Sequence, residues 1–419
     1  APTIFIGRDT RISGTLIESA MTAGFLSYGA NVKMLGVMPT PAVAYLTKKF
    51  KADASVVISA SHNTFEFNGV KYFSNKGMKI PDELEEEIEE VMDSGKINEL
   101  TAVNDKIGTS EIATELLDEY VYFFRKNFEE DLEKLNRDDF VVAVDTANGA
   151  TSVVADKVFT VLGIKHHILN DSPNGININD GCGSTHLEML KQYVIDKKCS
   201  LGIAYDGDGD RCLAVDENGN EIDGDKIIAI ISQYLKSKEK LNKDTIVATV
   251  MSNLGLNKYA KQNELNFVQT KVGDRYVLEE MLKNGYNLGG EQSGHVICLD
   301  YNPTGDGILT SLMIIRAILE QGKKASEVAS IMKAYPQVLI NAKVSSDKKY
   351  DFDKDEEIKS AIEKLNKEFD GNGRVLIRAS GTEPLVRVMI EGEDQDYIKQ
   401  KAQTIASLIE QKLGDEVKK

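Results

Sequence analysis

The chain has 419 residues, 42% of them hydrophobic and 28% charged, and a formal net charge of −16. This composition is typical of a globular protein, and at ~150 residues per domain the length corresponds to about three domains. The acidic balance disfavours nucleic acid and anionic membranes as partners. The sequence contains no apolar run of about 18 residues and no basic-then-apolar leader, so we expect a cytoplasmic protein with no membrane partner.

Strand-like and helix-like segments alternate along the first two-thirds of the sequence. Thr3–Ile6 is apolar and β-branched, a helix with one apolar face begins near Thr15, and Pro41 suits the first turn of a second helix. A third strand, Val56–Ile58, ends in small polar residues, and the alternation restarts at Phe140–Asp145. This order predicts parallel or mixed sheets with helices on both faces.

The pattern changes after Tyr335. Strands at Val338–Val344 and Leu385–Ile390 precede a last helix that stops at Gly414. We therefore predict an α/β protein with three similar α/β domains, built on mixed sheets with helices on both faces, and a smaller C-terminal α+β domain. The predicted domain limits are 1–110, 111–220, 221–335 and 336–419.

Three aspartates at alternate positions form the strongest local signal. Asp206, Asp208 and Asp210 directly follow an apolar strand, and their like charges favour convergence only around a divalent cation. Gly207 and Gly209 can take positive φ and let the loop curl. An EF-hand is excluded because Arg211 occupies its glycine position and strands flank the run. A solvated acidic turn remains the alternative.

Three further motifs are weaker evidence of a functional site when each is considered alone. Ser59-Ala-Ser61-His62-Asn63 is either a capped loop or a nucleophilic or phosphate-carrying serine held at a strand end. The run Gly289–His295 contains several polar side chains suited to sugar hydroxyls and amines, or it is an ordinary loop. The run Arg378–Arg387 could hold a phosphate between arginines and Ser-Gly-Thr amides, or it is a plain β-hairpin.

Two basic features complete the set. Gly7-Arg8-Asp9-Thr10-Arg11-Ile-Ser13-Gly14 places two arginines on a loop before a helix, and Lys71 lies just beyond the serine motif. In their order along the chain, the runs GRDTRISG, SASHN with NGVK, DGDGDR, GEQSGH and RASGTEPLVRV resemble the α-D-phosphohexomutase superfamily over nearly the whole length. In that family three similar α/β domains and a fourth α+β domain surround a central cleft.

The resemblance implies a role for each motif and so for each domain. Ser61 would be the phosphoserine of the first domain, and Asp206, Asp208 and Asp210 of the second would bind Mg²⁺ with an oxygen of the phosphate on Ser61. Lys71 and His295 would transfer protons, with help from Arg11. The residues implied to bind the sugar or its phosphates are Arg211, Glu291, Ser293, Arg378, Ser380, Gly381, Thr382 and Arg387.

The resemblance also implies the chemistry. Phosphoserine donates its phosphoryl group to a hexose phosphate, a bisphosphate forms and turns around, and the serine takes the other phosphate back. One Mg²⁺ per active site and a hexose 1,6-bisphosphate, as activator and intermediate, would be the cofactors.

Within the superfamily, the details favour the phosphoglucosamine mutase subgroup. Gln292 in the sugar loop resembles that subgroup, and so does the run Asn177-Ile-Asn179-Asp-Gly-Cys182-Gly-Ser184-Thr185-His186, otherwise only a polar loop. The implied substrates are glucosamine 6-phosphate and glucosamine 1-phosphate, on the bacterial route to UDP-N-acetylglucosamine and peptidoglycan precursors. The resemblance leaves open whether the protein is a monomer or a homodimer.

Two departures from the family pattern affect these expectations. Thr64 stands where the family carries proline, which could loosen the serine loop. No strand with a Gly-Thr-Asp-Gly-Ile-Arg-Gly type loop precedes Ala1, so we expect the first strand and a phosphate-facing arginine to be missing and activity to be low.

Three alternative functions remain open at this stage. The same fold could act on glucose or mannose phosphates, as phosphoglucomutases and phosphomannomutases do. A metal-dependent sugar phosphatase would use water as the phosphoryl acceptor. A non-catalytic sugar-phosphate-binding protein would bind ligand and metal without turnover.

Overall fold

A computed structural model describes residues 1–95, 101–380 and 383–414. The chain divides into two compact units. The first contains Ala1–Ser252 and Ala260–Ile331, and the second contains Asn253–Tyr259 and the chain from Met332 onward. In these described ranges no helix is both long and apolar enough to cross a membrane.

The first unit opens with a five-stranded sheet in which β4 is the antiparallel edge strand and the other pairings are parallel. Its strands are β1 (Thr3–Arg8), β2 (Asn31–Val37), β3 (Ala54–Ile58), β4 (Val70–Ser74) and β5 (Ser110–Ile112), in the order β4-β3-β1-β2-β5. Its helices are α1 (Gly14–Ser27), α2 (Thr40–Phe50) and α3 (Asp82–Asp93).

Alternation along β1 explains why helices cover both faces of this sheet. Ile4 and Ile6 pack against the apolar side of α1, where Phe25 belongs to the same core cluster. Gly7 points the opposite way, and a Cβ there would lie 2.5 Å from Cγ2 of Val43 in α2. Both faces of the strand are therefore buried, which is why it reads as a continuous apolar run.

The second sheet of this unit is also five-stranded and mixed, in the order β10-β9-β8-β6-β7. Its strands are β6 (Val141–Asp145), β7 (Lys165–Leu169), β8 (Leu201–Tyr205), β9 (Cys212–Asp216) and β10 (Glu221–Ile222). Three helices belong to this region, namely α4 (Leu117–Glu133), α5 (Ala155–Val161) and α6 (Glu188–Lys197). Every residue of β8 is buried, so its carboxyl end is held on a rigid element.

The third sheet has four strands in the order β12-β11-β13-β14. Its strands are β11 (Thr245–Thr249), β12 (Asn266–Thr270), β13 (Leu288–Gly290) and β14 (Val296–Cys298). The helices of this stretch are α7 (Gly224–Ser237), α8 (Leu254–Gln262), α9 (Asp274–Asn284), α10 (Gly307–Gln321) and α11 (Ala325–Ala329). Asp306 caps α10 by accepting a hydrogen bond from the backbone N–H of Leu309.

The second unit is built on a three-stranded antiparallel sheet in the order β15-β17-β16. It contains β15 (Gln337–Lys343), α12 (Glu356–Phe369), β16 (Gly373–Ala379), β17 (Leu385–Gly392) and α13 (Gln395–Leu413). The predicted apolar face of α13 is buried, and the helix ends at Gly414 as expected. The predicted fold class is confirmed, whereas the four domain limits remain predictions.

Candidate active site

Ser61 lies immediately after β3, and its hydroxyl donates a hydrogen bond of 2.6 Å to Oδ2 of Asp206. Asp206 itself lies at the carboxyl end of β8, in the second sheet of the same unit. The packing of two sheets therefore joins residues that are 145 positions apart in the sequence. The serine motif and the aspartate motif therefore share one site.

The three aspartates after β8 converge as their spacing predicts. Asp206, Asp208 and Asp210 are all buried, and one carboxylate oxygen from each lies within 4.8 Å of the others. Oδ1 of Asp208 and Oδ1 of Asp210 are buried without a hydrogen-bond partner among the described residues. Oxygen ligands with free lone pairs fit a hard divalent cation, so this cluster is a candidate metal site.

The electrostatics of the cluster lead to the same conclusion. Burial, together with repulsion from Asp210 and Asp208, raises the pKa of Asp206 well above its usual value. Burial acts in the same direction on Asp210, but Lys71 and His295 outweigh it and hold the pKa of that carboxyl well below its usual range. Three buried carboxylates remain ionised together only when positive charge compensates them.

Two other side chains reach Asp208. The ammonium of Lys71 pairs with Oδ2 of Asp208 at 2.5 Å and with Oδ2 of Asp210 at 3.4 Å. Burial would lower the pKa of Lys71, but the two carboxylates dominate and raise it above its usual value. Thr40 donates its hydroxyl to the same Oδ2 at 2.5 Å and its N–H to the carbonyl of Asp208 at 2.9 Å. Sequence reasoning missed Thr40, although its position between two prolines at a helix start was a signal.

The two glycines of the aspartate loop serve different purposes. Gly209 has φ +73°, as predicted. Gly207 does not take positive φ, so the predicted reason for it was wrong. A Cβ on Gly207 would lie 2.6 Å from the carbonyl oxygen of Ser61, so glycine is needed there for close approach between the two loops.

The backbone of Ser61 is in the left-handed region, with φ +53°. This conformation is unfavourable for most residues other than glycine and asparagine. The N–H of Ser61 donates to Oγ of Ser59 at 2.9 Å, and that hydroxyl donates to Asp9 at 2.6 Å. Asp9 also accepts from Nε of Arg11 at 2.8 Å. Asp9, which lies outside the serine motif, thus holds the Ser59 hydroxyl that accepts from the backbone of Ser61.

Arg11, predicted to assist proton transfer, makes contacts of a different kind. Its side chain is fully buried, and its Nη2 donates to the carbonyls of Ser61 at 3.0 Å and Asn63 at 2.8 Å. Its Nη1 donates to the carbonyl of Thr64. These contacts favour a positioning role, and they hold the residue that replaces the proline of the family pattern. His62 and Asn63 are both exposed, and it is the backbone carbonyl of Asn63 that accepts the bond from Arg11.

His295 lies between β13 and β14 and, like Lys71, lies near Oδ2 of Asp210. Its Nδ1 is 3.7 Å from Asp210, its Nε2 is 3.6 Å from Asp274, and Nε2 accepts from the N–H of Gly305 at 3.1 Å. Burial lowers the pKa of His295, but Asp210 and then Asp274 outweigh it and raise the pKa. Sequence reasoning missed Asp274, although a carboxylate after Gly273 at a helix start is a recognisable signal.

Of the predicted sugar-binding residues of the first unit, Arg211 lies beside this cluster. Arg211 donates its N–H to Asp206 at 3.1 Å, and its Nε is 3.9 Å from Oδ1 of Asp210. Glu291 accepts from the N–H of Gly273 at 3.2 Å, whereas Ser293 is exposed. The structure thus places Arg211 against the metal ligands, and roles for Glu291 and Ser293 in sugar binding remain predictions.

The predicted phosphate-binding residues lie in the second unit. Arg378 in β16 pairs directly with Arg387 in β17, so the two side chains share one face of the sheet. Like charges in this position repel each other unless an anion lies between them. Ser380 is buried at the end of β16, and its carbonyl accepts from Lys349 at 3.1 Å. Gly381 and Thr382 lie outside the described residues.

Comparison with protein-family models gives four consecutive matches. Residues 1–99, 118–219 and 223–335 match the alpha/beta/alpha domains I, II and III of phosphoglucomutase/phosphomannomutase, and residues 339–408 match its C-terminal domain. The four matches follow the order of the four groups of motifs in the chain.

Curated relatives align over nearly the full length. The phosphoglucosamine mutase of Clostridium botulinum (strain Kyoto / Type A2) is 53% identical over 415 residues, covering 98% of this chain and 91% of the relative. That of Ruminiclostridium cellulolyticum is 52% identical over 413 residues, covering 99% and 91%.

Solved structures show the same fold at low identity. A phosphoglucomutase/phosphomannomutase family protein from Burkholderia thailandensis has a TM-score of 0.79 at 20% identity and covers 98% of this chain and 89% of its own. The open form of the phosphoglucomutase pp63/parafusin from Paramecium has a TM-score of 0.75 at 17% identity and covers 99% and 89%.

Proposed function

Because the chain belongs to the phosphoglucosamine mutase family, within the phosphoglucomutase/phosphomannomutase group, we propose that it interconverts glucosamine 6-phosphate and glucosamine 1-phosphate. The resemblance drawn from the five motifs is thereby confirmed. The enzyme is a phosphohexomutase, an isomerase that moves a phosphoryl group between two hydroxyls of one sugar.

One observation carries the mechanism, namely the hydrogen bond of Ser61 to Asp206 at the edge of the aspartate cluster. We propose that Ser61 carries the phosphoryl group. The O–P bond to Ser61 breaks as a bond forms to a sugar hydroxyl, whose proton ends on Oγ of Ser61, and a hexose 1,6-bisphosphate results. The reverse step from the other phosphate returns the phosphoryl group to Ser61 and leaves the isomeric monophosphate.

Mg²⁺ is the cation that we propose for the cluster of Asp206, Asp208 and Asp210, with one ion per active site. The three carboxylates and their two unpartnered oxygens would hold it. When bound there, it would neutralise negative charge on the transferring group. Arg211, fixed by its N–H to Asp206, supports the same phosphate from the protein side.

Lys71 and His295 both lie near Oδ2 of Asp210 and are the proposed proton-transfer groups. We propose that Glu291 and Ser293 bind the sugar. Arg378, Ser380, Gly381, Thr382 and Arg387 are proposed to bind a phosphate of the substrate, which would relieve the repulsion between the paired arginines of β16 and β17.

The test is a comparison of kcat/KM for glucosamine 6-phosphate, glucose 6-phosphate and mannose 6-phosphate, each with Mg²⁺ and a trace of glucose 1,6-bisphosphate. We expect a preference for the amino sugar. Ser61→Ala should abolish turnover, whereas the matched control Ser19→Ala, on an exposed position of α1, should retain it.

Other outcomes would each indicate a different function. A preference for glucose 6-phosphate or mannose 6-phosphate would show that the protein acts as a phosphoglucomutase or phosphomannomutase of the same group. Release of free inorganic phosphate without isomerisation would indicate a phosphatase. Binding of glucosamine 6-phosphate without turnover on any substrate would indicate a non-catalytic protein and overturn the proposal.

A further inference from the structure

The sequence argument used the polar run that begins at Asn177 only as a mark of the subgroup and gave its side chains no role, yet one of them contacts the serine motif. Nδ2 of Asn179 donates to the carbonyl of Ser61 at 2.9 Å and to the carbonyl of Asn63 at 2.8 Å. An amide NH₂ group has two hydrogens, so both are used on the serine loop. Because both partners are carbonyl oxygens, the NH₂ end of the amide must face the loop.

Asn179 is itself held in place. It is 2% exposed, its N–H donates to the carbonyl of Ala147 at 2.9 Å, and its φ is +57°. Asparagine tolerates the left-handed region better than most residues, which suits this position. The side chain therefore has little freedom to leave the serine loop.

The aspartate loop also lies against the carbonyl of Ser61 and the amide of Asn179. A Cβ on Gly207 would lie 2.6 Å from the carbonyl of Ser61 and 2.7 Å from Nδ2 of Asn179. The backbone carbonyl of Ser61 is thus enclosed by Gly207, by Arg11 and by Asn179. Two of these three groups come from the second sheet region, which also carries the aspartate cluster.

We infer that Asn179 is a positioning residue for phosphoryl transfer: its amide holds the backbone of Ser61 in the left-handed conformation that directs Oγ to Asp206. Arg11 holds the same carbonyls from the first sheet region, so the two donors together fix the loop to both regions. A misplacement of about 1 Å at a reacting group can cost on the order of 100-fold in rate. This inference rests on the proposed role of Ser61.

The matched variants are Asn179→Gly and Asn177→Gly. Glycine accepts φ +57° without strain, so the change at Asn179 removes the amide and leaves the backbone unstrained. Asn177 lies on the same loop, but among the described residues its side chain bonds to nearby backbone, accepting from the N–H of Asn174 at 2.9 Å and donating to the carbonyl of Ser172 at 3.2 Å. Added loop flexibility is therefore common to both variants.

The measurements are kcat and KM with glucosamine 6-phosphate, and the initial rate of Ser61 phosphorylation by glucose 1,6-bisphosphate, followed by intact mass. For Asn179→Gly we expect kcat and the phosphorylation rate to fall together, by about 10- to 100-fold, with KM within about twofold of the wild type. Asn177→Gly should match the wild type in all three quantities. A purely structural role would affect both variants alike.

Unchanged kcat and phosphorylation in Asn179→Gly would overturn the inference, and so would a rise in KM alone. If Asn179→Gly does not fold, Asn179→Asp keeps the size and places an acceptor oxygen against the two carbonyls, and the same drop in kcat is expected. A wild type that neither isomerises the sugar phosphate nor accepts a phosphoryl group refutes the proposed function, and the inference with it. Normal wild-type turnover with a fully active Asn179→Gly refutes the inference alone.

Discussion

Asp208 is the residue on which the charges of the site converge. Oδ2 of Asp208 accepts from Lys71 and Thr40, whereas its Oδ1 is buried without a partner among the described residues. A carboxylate that is satisfied on one side and free on the other is suited to hold a cation at the free oxygen. Its two partners also fix its orientation before any ion binds.

Asp208→Asn should weaken Mg²⁺ binding by at least about tenfold, because a neutral amide replaces one of three charged ligands. Calorimetric titration with Mg²⁺ measures the effect, and turnover at saturating substrate should fall as well. Asp105→Asn removes the same charge at an exposed position and serves as the control. Equal affinity in both variants would show that the cluster does not bind the ion.

Part of this arrangement of side chains could be predicted from the sequence. The alternate spacing of the aspartates after an apolar strand is a local pattern, so their convergence could be predicted. Thr40 and Asp274 each had a local signal at a helix start, but that signal could not show that Thr40 contacts Asp208 or that Asp274 lies beside His295. Their contacts depend on how α2 and α9 pack, which no local pattern specifies.

At the scale of elements, α10 begins at a buried carboxyl. Asp306 is fully buried and caps the helix through the N–H of Leu309, and its Oδ2 accepts from Asn302 at 3.0 Å. Burial raises the pKa of Asp306 from 3.8 to about 6. Because the folded-state pKa is the higher one, the folded protein binds this proton more tightly than the unfolded chain does.

The stability that this proton contributes is full below pH ~4 and is lost as the pH rises through about 6. Asp306→Asn keeps an acceptor for Leu309 and cannot titrate. The free energy of unfolding of the wild type minus that of Asp306→Asn should therefore decrease between pH 4 and pH 7. Denaturant unfolding at several pH values measures this difference, and a constant difference would contradict the prediction.

Element boundaries were largely predictable, since apolar periodicity and capping residues are local. The apolar strand predicted before the aspartates is β8, and α13 ends at Gly414 as expected. The function of the loop that contains Asn179 was not predictable. A polar loop has no periodicity, and the partners of this one are backbone carbonyls of a distant segment.

On the scale of the whole molecule, each compact unit has its own core. The second unit buries one face of α13 against its three-stranded sheet, with Ile409 fully buried. The aspartate cluster lies entirely in the first unit. The stability of each unit can therefore be changed and measured separately.

We expect calorimetric unfolding to resolve transitions that respond separately. Mg²⁺ at 100 times its Kd should stabilise the first unit by about 2.7 kcal/mol, because the ion binds only the folded site. Ile409→Ala should destabilise the second unit by about 2–5 kcal/mol through the cavity that it leaves. Ser407→Ala, at an exposed position of the same helix, is the control for Ile409→Ala. In Asp208→Asn the stabilisation by Mg²⁺ should be smaller than in the wild type. A single transition that both changes shift equally would contradict this expectation.

The sequence alone determined the fold class, the aspartate cluster and the family, because each depends on patterns within short segments and on the order of those segments. Only the tertiary structure decided which loops meet. The contact of Ser61 with Asp206 and the hydrogen bonds of Asn179 to two carbonyls join segments from separate sheets. The contacts of the buried Arg11 with the serine loop join segments that follow two paired strands of one sheet. Such contacts arise from the packing of whole sheets, and residue spacing along one strand contains no information about them.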